Sequence, residues 1–202
     1  MVDSMLDPAQ LGPETVRPLL RREYEQLVAH GSFVDEHVEL LRGVLVAMSP
    51  QGDAHARISA WFAQRLIKAL DMARFDVRSH SPFAATTDSM PEPDVSVARR
   101  TLRGNHPTRA LLLIEVCGSS ARKDRSIKTE IYAEAGVPEY WIVDLDLRAV
   151  DVLTRPTSSG YARTTRIETG SLHPTRLRAF AIALADVPWR PRVKRRKRVR
   201  ST

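Results

Sequence analysis

The segment LLLIEVCGSSARKDRSIKTEIYAEAGVPEYWIVD, residues 111–144, decides the fold. It opens with a continuous apolar run that contains one carboxylate, Glu115, and it closes with a second run at 139–144. Runs of this length and composition predict central strands that are covered on both faces. Serines precede a helical pattern over about 121–135, and glycine and proline follow it, as at a helix end. Strand, helix and strand together predict two parallel strands joined by a right-handed crossover.

Further elements are predicted upstream. Apolar spacing indicates a helix over 13–31, and two apolar runs within 38–48 are broken at Arg42-Gly43, which is typical of a tight hairpin. Asp53 is predicted to cap a second helix that ends near Asp71. Both helices and strands are therefore predicted before residues 111–144.

Short strands are predicted over 75–79, 82–85 and 94–98, and a hairpin is predicted from the runs 149–154 and 161–165. Helices, a parallel pair of strands and hairpins in one chain predict an α/β (α+β mixed) fold class.

Length and composition indicate one folded domain. The chain has 202 residues, of which 43% are hydrophobic and 27% charged, which is typical of a globular protein. No run approaches the roughly 18 apolar residues of a membrane span, and no signal segment is recognised. A single cysteine, Cys117, excludes an internal disulfide and a zinc site built on several thiolates. We expect a cytoplasmic protein without a membrane partner.

The positive charge is concentrated at the carboxyl end. Of the net charge of +7, eight cations and no acid lie in residues 190–202, so the rest of the chain is close to neutral. We predict a flexible amino terminus (1–12), one domain (13–189) and a disordered basic tail (190–202). The tail is either a solvated end or a nucleic-acid-binding segment. The candidate nucleic-acid-binding residues are Arg195, Arg196, Lys197 and Arg198.

Two carboxylates stand where apolar residues would cost less. Asp94 opens a predicted strand, and Glu115 lies near the end of the buried run. Burying an unpaired carboxylate is unfavourable by several kcal/mol. A divalent cation such as Mg²⁺ or Mn²⁺, held by these carboxylates and a backbone carbonyl, would remove that cost. Pairing with arginines would do so too, and the residues alone leave both explanations open.

The predicted helix after Glu115 adds a cation. Asp124 and Lys128 are four residues apart and share a helix face with Tyr132. One explanation is an exposed ion pair of the helix surface. The other places the Lys128 ammonium over the strand end, near the carboxylates, where it can stabilise negative charge during phosphoryl chemistry.

From about residue 21 to 187 the sequence resembles the Uma-two family of restriction-endonuclease-like proteins, a branch of the PD-(D/E)XK nuclease superfamily. The motifs that carry the resemblance are VELLRG (38–43), MSP (48–50) with His55, PEPDV (91–95), LIEV (113–116), Ser119-Ser120 with Asp124-Arg125 and Lys128, and YAEAGVPEYWIVD (132–144).

The resemblance implies a restriction-endonuclease-like core, in which a central mixed β-sheet is flanked by helices. It also implies a Mg²⁺ (or Mn²⁺) site formed by Asp94 and Glu115, with Glu39 completing the metal environment. The superfamily's lysine is expected two residues after the strand glutamate, where this chain has Cys117. The resemblance therefore assigns the catalytic lysine to Lys128, beside Asp94 and Glu115 as catalytic residues.

Three further residues remain with open roles. His55 and Asp124 match family positions and are accessory candidates, although a histidine at a helix start is also satisfied by local backbone contacts. Trp141 lies in an apolar run and is expected in the core rather than stacked on a base.

Two functions follow from these residues. The first is a metal-dependent endonuclease that hydrolyses DNA phosphodiester bonds, with DNA as partner. The alternative is a non-catalytic nuclease-fold module, either nucleic-acid-binding or regulatory, that uses the basic tail. A homodimer is left open in both cases.

Overall fold

A computed structural model describes residues 16–101, 105–118 and 126–189. Three α-helices and ten strands are found in these ranges, followed by a short 3₁₀ turn, Leu184–Asp186. In chain order the elements are α1 (Arg21–Ala29), β1 (Val38–Leu41), β2 (Val44–Ala47), α2 (Asp53–Ala69), β3 (Phe75–Ser79), β4 (Val95–Arg99), β5 (Leu112–Cys117), α3 (Ile127–Glu134), β6 (Glu139–Asp144), β7 (Ala149–Thr157), β8 (Gly160–Ile167), β9 (Ser171–Leu172) and β10 (Ile182–Ala183).

The six strands β3 to β8 form one sheet in sequence order. β5 and β6 are parallel, as the crossover predicts, and all other neighbours in this sheet are antiparallel. The sheet is therefore mixed, and the predicted fold class is confirmed. Two short antiparallel pairs, β1 with β2 and β9 with β10, lie outside it.

The central strand β5 is buried along its whole length because helices cover both faces of the sheet. Ile114 and Val116 pack with the α2 residues, whereas Leu113 and Cys117 pack with the α3 residues. This alternation is the period of two that a strand imposes on its side chains. Glu115 shares its parity with Leu113 and Cys117, and so it faces α3.

Trp141 is fully buried and packs edge-on against Phe62 of α2, at a centroid distance of 6.3 Å. Its indole nitrogen donates to the buried carboxylate of Glu139 over 2.7 Å. The predicted core role of Trp141 is confirmed, since a fully buried ring has no face to offer to a base.

The β1–β2 hairpin turns at Arg42 and Gly43, as predicted. Both residues have positive φ, 51° and 78°, the combination that suits two-residue hairpin turns. Backbone bonds from Gly43 to Asp88 and from Leu19 to Gly43 hold the turn against its neighbours. The hairpin therefore has a fixed position beside the sheet.

Two predicted helix starts are wrong. α1 begins at Arg21 rather than near residue 13, since residues 16–20 are not helical. The backbone N–H groups of Leu19 and Arg21 donate to Gly43 and Thr87, which fixes the chain before the first helical turn. The N-cap of α2 is Gly52, one position before the predicted cap, and Asp53 is the first helical residue.

The other predicted elements have mixed outcomes. Residues 82–85 form no strand, because Phe83 and Ala84 bond to the loop residues Pro91 and Pro107. The predicted capping serines lie outside the described residues, within which Ser126 precedes α3. Gly136 follows α3 with a φ of 70°, as predicted for a helix end.

Among the described helices, none has both the length and the apolar character that a bilayer crossing requires. The termini assigned to 1–12 and 190–202 lie outside the described residues, and the three-part domain organisation stays a prediction.

Candidate active site

Lys128 joins α3 to the central strand. Its ammonium lies 2.8 Å from Oε1 of Glu115 and 3.2 Å from Oε2 of Glu39, and the side chain is 3% exposed. The backbone carbonyl of Glu92 is a third contact, at 3.5 Å. A buried lysine held by two carboxylates is a charged group in a fixed position, not a mobile surface cation. Of the two explanations for Lys128, the contact with the strand carboxylate is the one observed.

Tyr132 lies one helical turn beyond Lys128 and reaches the same carboxylate. Its hydroxyl donates to Oε1 of Glu115 over 2.8 Å. Complete burial, followed by the negative charge of Glu115, raises the pKa of Tyr132 well above its usual value, so the phenol keeps its proton. We call Glu39, Glu115, Lys128 and Tyr132 the lysine cluster.

Glu39 enters the lysine cluster from strand β1. Its side chain is completely buried, and Oε2 accepts a hydrogen bond from the Glu92 N–H over 3.1 Å. The hairpin is fixed by a bridge between Leu40 and Met90, which aligns Glu39 with the PEPD segment. Glu39 therefore contacts Lys128 from a strand outside the main sheet. Its role as a metal ligand stays a prediction.

Asp94 lies at the start of β4, beside the end of β5. Val95 pairs with Ile114, so one further step of the antiparallel ladder places Asp94 opposite Glu115. Oδ2 of Asp94 accepts the N–H of Val116 over 2.7 Å. The two predicted metal carboxylates thus come from adjoining positions on neighbouring strands.

Two histidines flank the Asp94 carboxylate. Nε2 of His55, in the first turn of α2, lies 3.0 Å from Oδ2, and Nδ1 of His80 lies 3.3 Å from Oδ1. We call these three residues the aspartate cluster. Among the described residues, Nδ1 of His55 is buried and has no hydrogen-bond partner. His55, an accessory candidate, is therefore at the site.

The histidines also fix the charge of Asp94. Burial alone would raise the pKa of this carboxyl, but the hydrogen bonds from His55 and His80 and from the Val116 N–H lower it to about 2. The same contact with Asp94 raises the pKa of His80. Asp94 is consequently ionised across the neutral pH range.

His80, Glu92 and Tyr132 are site residues that sequence reasoning did not assign. His80 follows β3 with a φ of 45°, an uncommon conformation outside glycine that marks a constrained position. Glu92 lies within the PEPD motif, two residues before Asp94. Tyr132 is four residues after Lys128 and so shares its helix face. Both residues could therefore have been found from their spacing in the sequence. His80 had no such signal.

Some predicted residues cannot be compared with the structure. Asp124 and the basic tail, including Arg195 to Arg198, lie outside the described residues. Cys117 is buried against the α3 face, and a cysteine cannot supply a cation.

The donor chemistry suits a hard divalent cation. Asp94 and Glu115 supply carboxylate oxygens from adjoining strand ends, and oxygen donors are those that Mg²⁺ and Mn²⁺ prefer. In the described ranges, no group of three or more His, Cys, Asp and Glu side chains is arranged to hold a metal. A cation held here would therefore rely on two carboxylates and backbone or solvent oxygens.

Comparisons with known proteins identify the family and the fold of the chain. The model of the Uma2 family, described as "Putative restriction endonuclease", matches residues 21–185. A crystal structure described as a "putative nuclease belonging to DUF820", from Anabaena variabilis ATCC 29413, matches with a TM-score of 0.66 and 16% identity. The match covers 84% of this chain and 97% of that one, and it shows a shared fold. A comparison with curated proteins gave no match. Since the family model spans most of the chain, the protein belongs to the Uma2 family of restriction-endonuclease-like proteins.

Proposed function

We propose that this protein is a metal-dependent endonuclease that hydrolyses DNA phosphodiester bonds with Mg²⁺ or Mn²⁺. The observation that carries the proposal is the buried contact of Lys128 with Glu115, one residue away from the Val116 N–H that binds Asp94. Two acids at neighbouring strand ends, with a lysine of α3 beside them, are the groups that a metal-assisted phosphodiesterase requires.

The role we assign to Lys128 is to stabilise the scissile phosphate during the reaction. Its ammonium is held by Glu39 and Glu115, so its position is set before the substrate arrives. A preorganised cation in a dry site stabilises the negative charge that develops on the phosphate oxygens, and it can orient the attacking water. Tyr132 supports this geometry by fixing the Glu115 carboxylate.

Asp94 and Glu115 would hold the divalent cation, with Glu39 as a further carboxylate beside it. Once bound, Mg²⁺ would supply Lewis-acid polarisation of the scissile phosphate. His55 and His80 orient Asp94 and keep it ionised, which prepares its oxygens for a cation.

Plasmid cleavage tests the proposal. We expect the protein to nick or cut DNA in Mg²⁺ or Mn²⁺, and Ca²⁺ to bind without supporting turnover. Asp94→Asn and Glu115→Gln should each lower the rate by at least about 100-fold, since each removes a metal-binding charge. The matched control is Asp151→Asn, which removes a buried acid of the same sheet that pairs with Arg166 and lies two strands away from Glu115.

The outcome distinguishes the two functions. Cleavage by the wild type and the control, but not by the two site variants, supports the endonuclease. Equal cleavage by all four proteins would identify a contaminant. DNA binding without metal binding or cleavage would instead support the non-catalytic nuclease-fold module.

A further inference from the structure

A cavity of about 650 Å³ is bounded by one side of α1 and by the chain around residues 90–92 and 105–108. We call it the α1 cavity. Its volume lies within the roughly 300–1,000 Å³ that is usual for small-molecule pockets. The proposed chemistry of Asp94, Glu115 and Lys128 leaves this space unused, because none of these residues lines it.

The α1 cavity adjoins the lysine cluster through shared chain segments. Glu92 lines the cavity, while its own N–H donates to Glu39 and its carbonyl accepts from Lys128. On the opposite wall, the Tyr24 hydroxyl donates to the carbonyl of Val38, the residue before Glu39. A ligand in the cavity would therefore lie next to the groups that we assign to the scissile phosphate.

The walls combine apolar surface with neutral hydrogen-bonding groups. Val28 and Met90 offer apolar contacts, and Asn105 and Thr108 offer an amide and a hydroxyl. Such a lining suits a planar heterocycle that needs apolar contact on its faces and hydrogen bonds at its edge.

The charges in the wall disfavour an anion. Arg21 lies 3.5 Å from Glu25, and Glu92 lies 2.8 Å from His37, so both signs are present and paired. A phosphate would meet two carboxylates here, whereas a neutral ring would not be repelled. Arg21 also lines the cavity, and its guanidinium carries several N–H donors that a ring acceptor could use.

We infer that the α1 cavity receives an unpaired nucleobase of the DNA substrate, next to the phosphate that is cleaved. The inference rests on the proposed nuclease function and adds a preference to it. A paired base cannot enter a concave pocket, and extrusion costs least for a mismatched or single-stranded base. The protein should therefore favour DNA with a mismatch or an unpaired nucleotide over a fully paired duplex.

Binding measured in Ca²⁺ tests this without relying on cleavage. The probes are two short duplexes that carry 2-aminopurine at one position, either mismatched or fully paired. We expect the wild type to bind the mismatched duplex about fivefold or more tightly, with a change in probe fluorescence on unstacking.

Two matched pairs of variants on α1 locate the effect. Val28→Trp places a large ring in the lining and obstructs the cavity, whereas Leu27→Trp adds the same ring at a neighbouring exposed residue outside the lining. Arg21→Ala and Arg22→Ala remove equal charge, but only Arg21 lines the cavity. Val28→Trp should abolish the mismatch preference and Arg21→Ala should reduce it, while the two control variants should keep it.

Each result decides a different point. If the wild type binds both duplexes equally, or if Val28→Trp keeps the preference, the nucleobase assignment is wrong while the nuclease proposal stands. If no duplex binds, the nuclease proposal fails as well. Loss of preference in Leu27→Trp to the same degree would also overturn the assignment.

Discussion

The ammonium of Lys128 and the carboxylate of Glu115 lie 2.8 Å apart, although one comes from helix α3 and the other from strand β5. The strand position two residues after Glu115 holds Cys117, which is buried against the α3 face and cannot supply a cation. A lysine on the covering helix thus reaches the strand glutamate from across the packing interface. The location of the charge in space matters for the chemistry, whichever element supplies it.

Lys128→Met should lower both the rate of DNA cleavage and the free energy of unfolding. The substitution leaves Glu39 and Glu115 buried without the ammonium that contacts both. Removing one partner of a buried ion pair commonly costs about 3–5 kcal/mol. Urea unfolding should show a loss of this size, and DNA cleavage should fall by at least about 100-fold.

Two further variants check that interpretation. Lys68→Met replaces an exposed lysine of α2 and should change the free energy of unfolding by less than about 0.5 kcal/mol. Adding Glu39→Gln to Lys128→Met should recover part of the lost stability, because one buried charge is then removed. Unchanged stability in Lys128→Met would contradict the buried ion pair.

Much of the fold was predictable because local signals agreed with tertiary packing. The crossover from β5 to β6 followed from two apolar runs, and the hairpin turn followed from Arg42-Gly43. The start of α1 was not predictable in this way. Its helical spacing extends upstream, but backbone bonds to Gly43 and Thr87 divert the chain until Arg21. Long-range hydrogen bonds of this kind leave no local pattern in the sequence.

The site residues, too, divide into those that local sequence patterns predict and those that depend on long-range contacts. Carboxylates inside apolar runs marked Asp94 and Glu115, and helical spacing placed Lys128 and Tyr132 on one face. His80 was missed because it approaches Asp94 only through the β3–β4 pairing, which places the chain after Ser79 beside the start of β4. A single histidine in a loop carries no spacing that predicts such a contact.

Asp94 should contribute stability that disappears in acid. Its pKa in the folded, metal-free protein is about 2, below the ordinary value of 3.8, so folding favours the ionised form. The contribution is complete above the unfolded pKa and is lost as the pH falls from about 4 to 2. A shift of this size corresponds to about 2 kcal/mol.

Urea unfolding in EDTA between pH 2 and about 6 measures this contribution. Asp94→Asn should flatten the decline below pH 4, whereas Asp35→Asn, at an exposed aspartate, should leave it in place. An identical acid decline in wild type and Asp94→Asn would show that His55 and His80 do not stabilise the ionised carboxylate.

Tyr132→Phe should separate stability from activity when compared with Tyr161→Phe. Tyr132→Phe removes the hydroxyl that donates to Glu115. Tyr161→Phe removes the hydroxyl that donates to the carbonyl of Val137. Both should lower the free energy of unfolding by about 1–2 kcal/mol. Only Tyr132→Phe should slow DNA cleavage, by roughly tenfold, since only it loosens a carboxylate that contacts Lys128. Equal cleavage rates for the two variants would argue against a positioning role for Tyr132.

Gly43→Ala should destabilise the hairpin that presents Glu39. An added Cβ would clash with Cβ of Pro18, and the φ of 78° is unfavourable for alanine. Together these effects should cost at least about 2 kcal/mol in urea unfolding. Gly52→Ala is the control, because nothing lies within 4 Å of its added Cβ and its φ is −73°. Similar losses in both variants would contradict the close approach of Pro18 to the turn.

The carboxyl-terminal cations should dominate the salt dependence of DNA binding. Residues 190–202 contain eight cations, whereas the remainder of the chain is nearly neutral. Each phosphate contact contributes about 0.9 to the slope of log affinity against log salt on duplex DNA. Replacing Arg195, Arg196, Lys197 and Arg198 with glutamine should therefore flatten the slope by about 2–4 units and weaken binding at low salt.

Lys128→Gln should instead leave the slope nearly unchanged and reduce cleavage. Equal slopes for wild type and the tail variant would exclude phosphate contacts by these residues and direct attention to the exposed Arg99 and Arg100 at the end of β4.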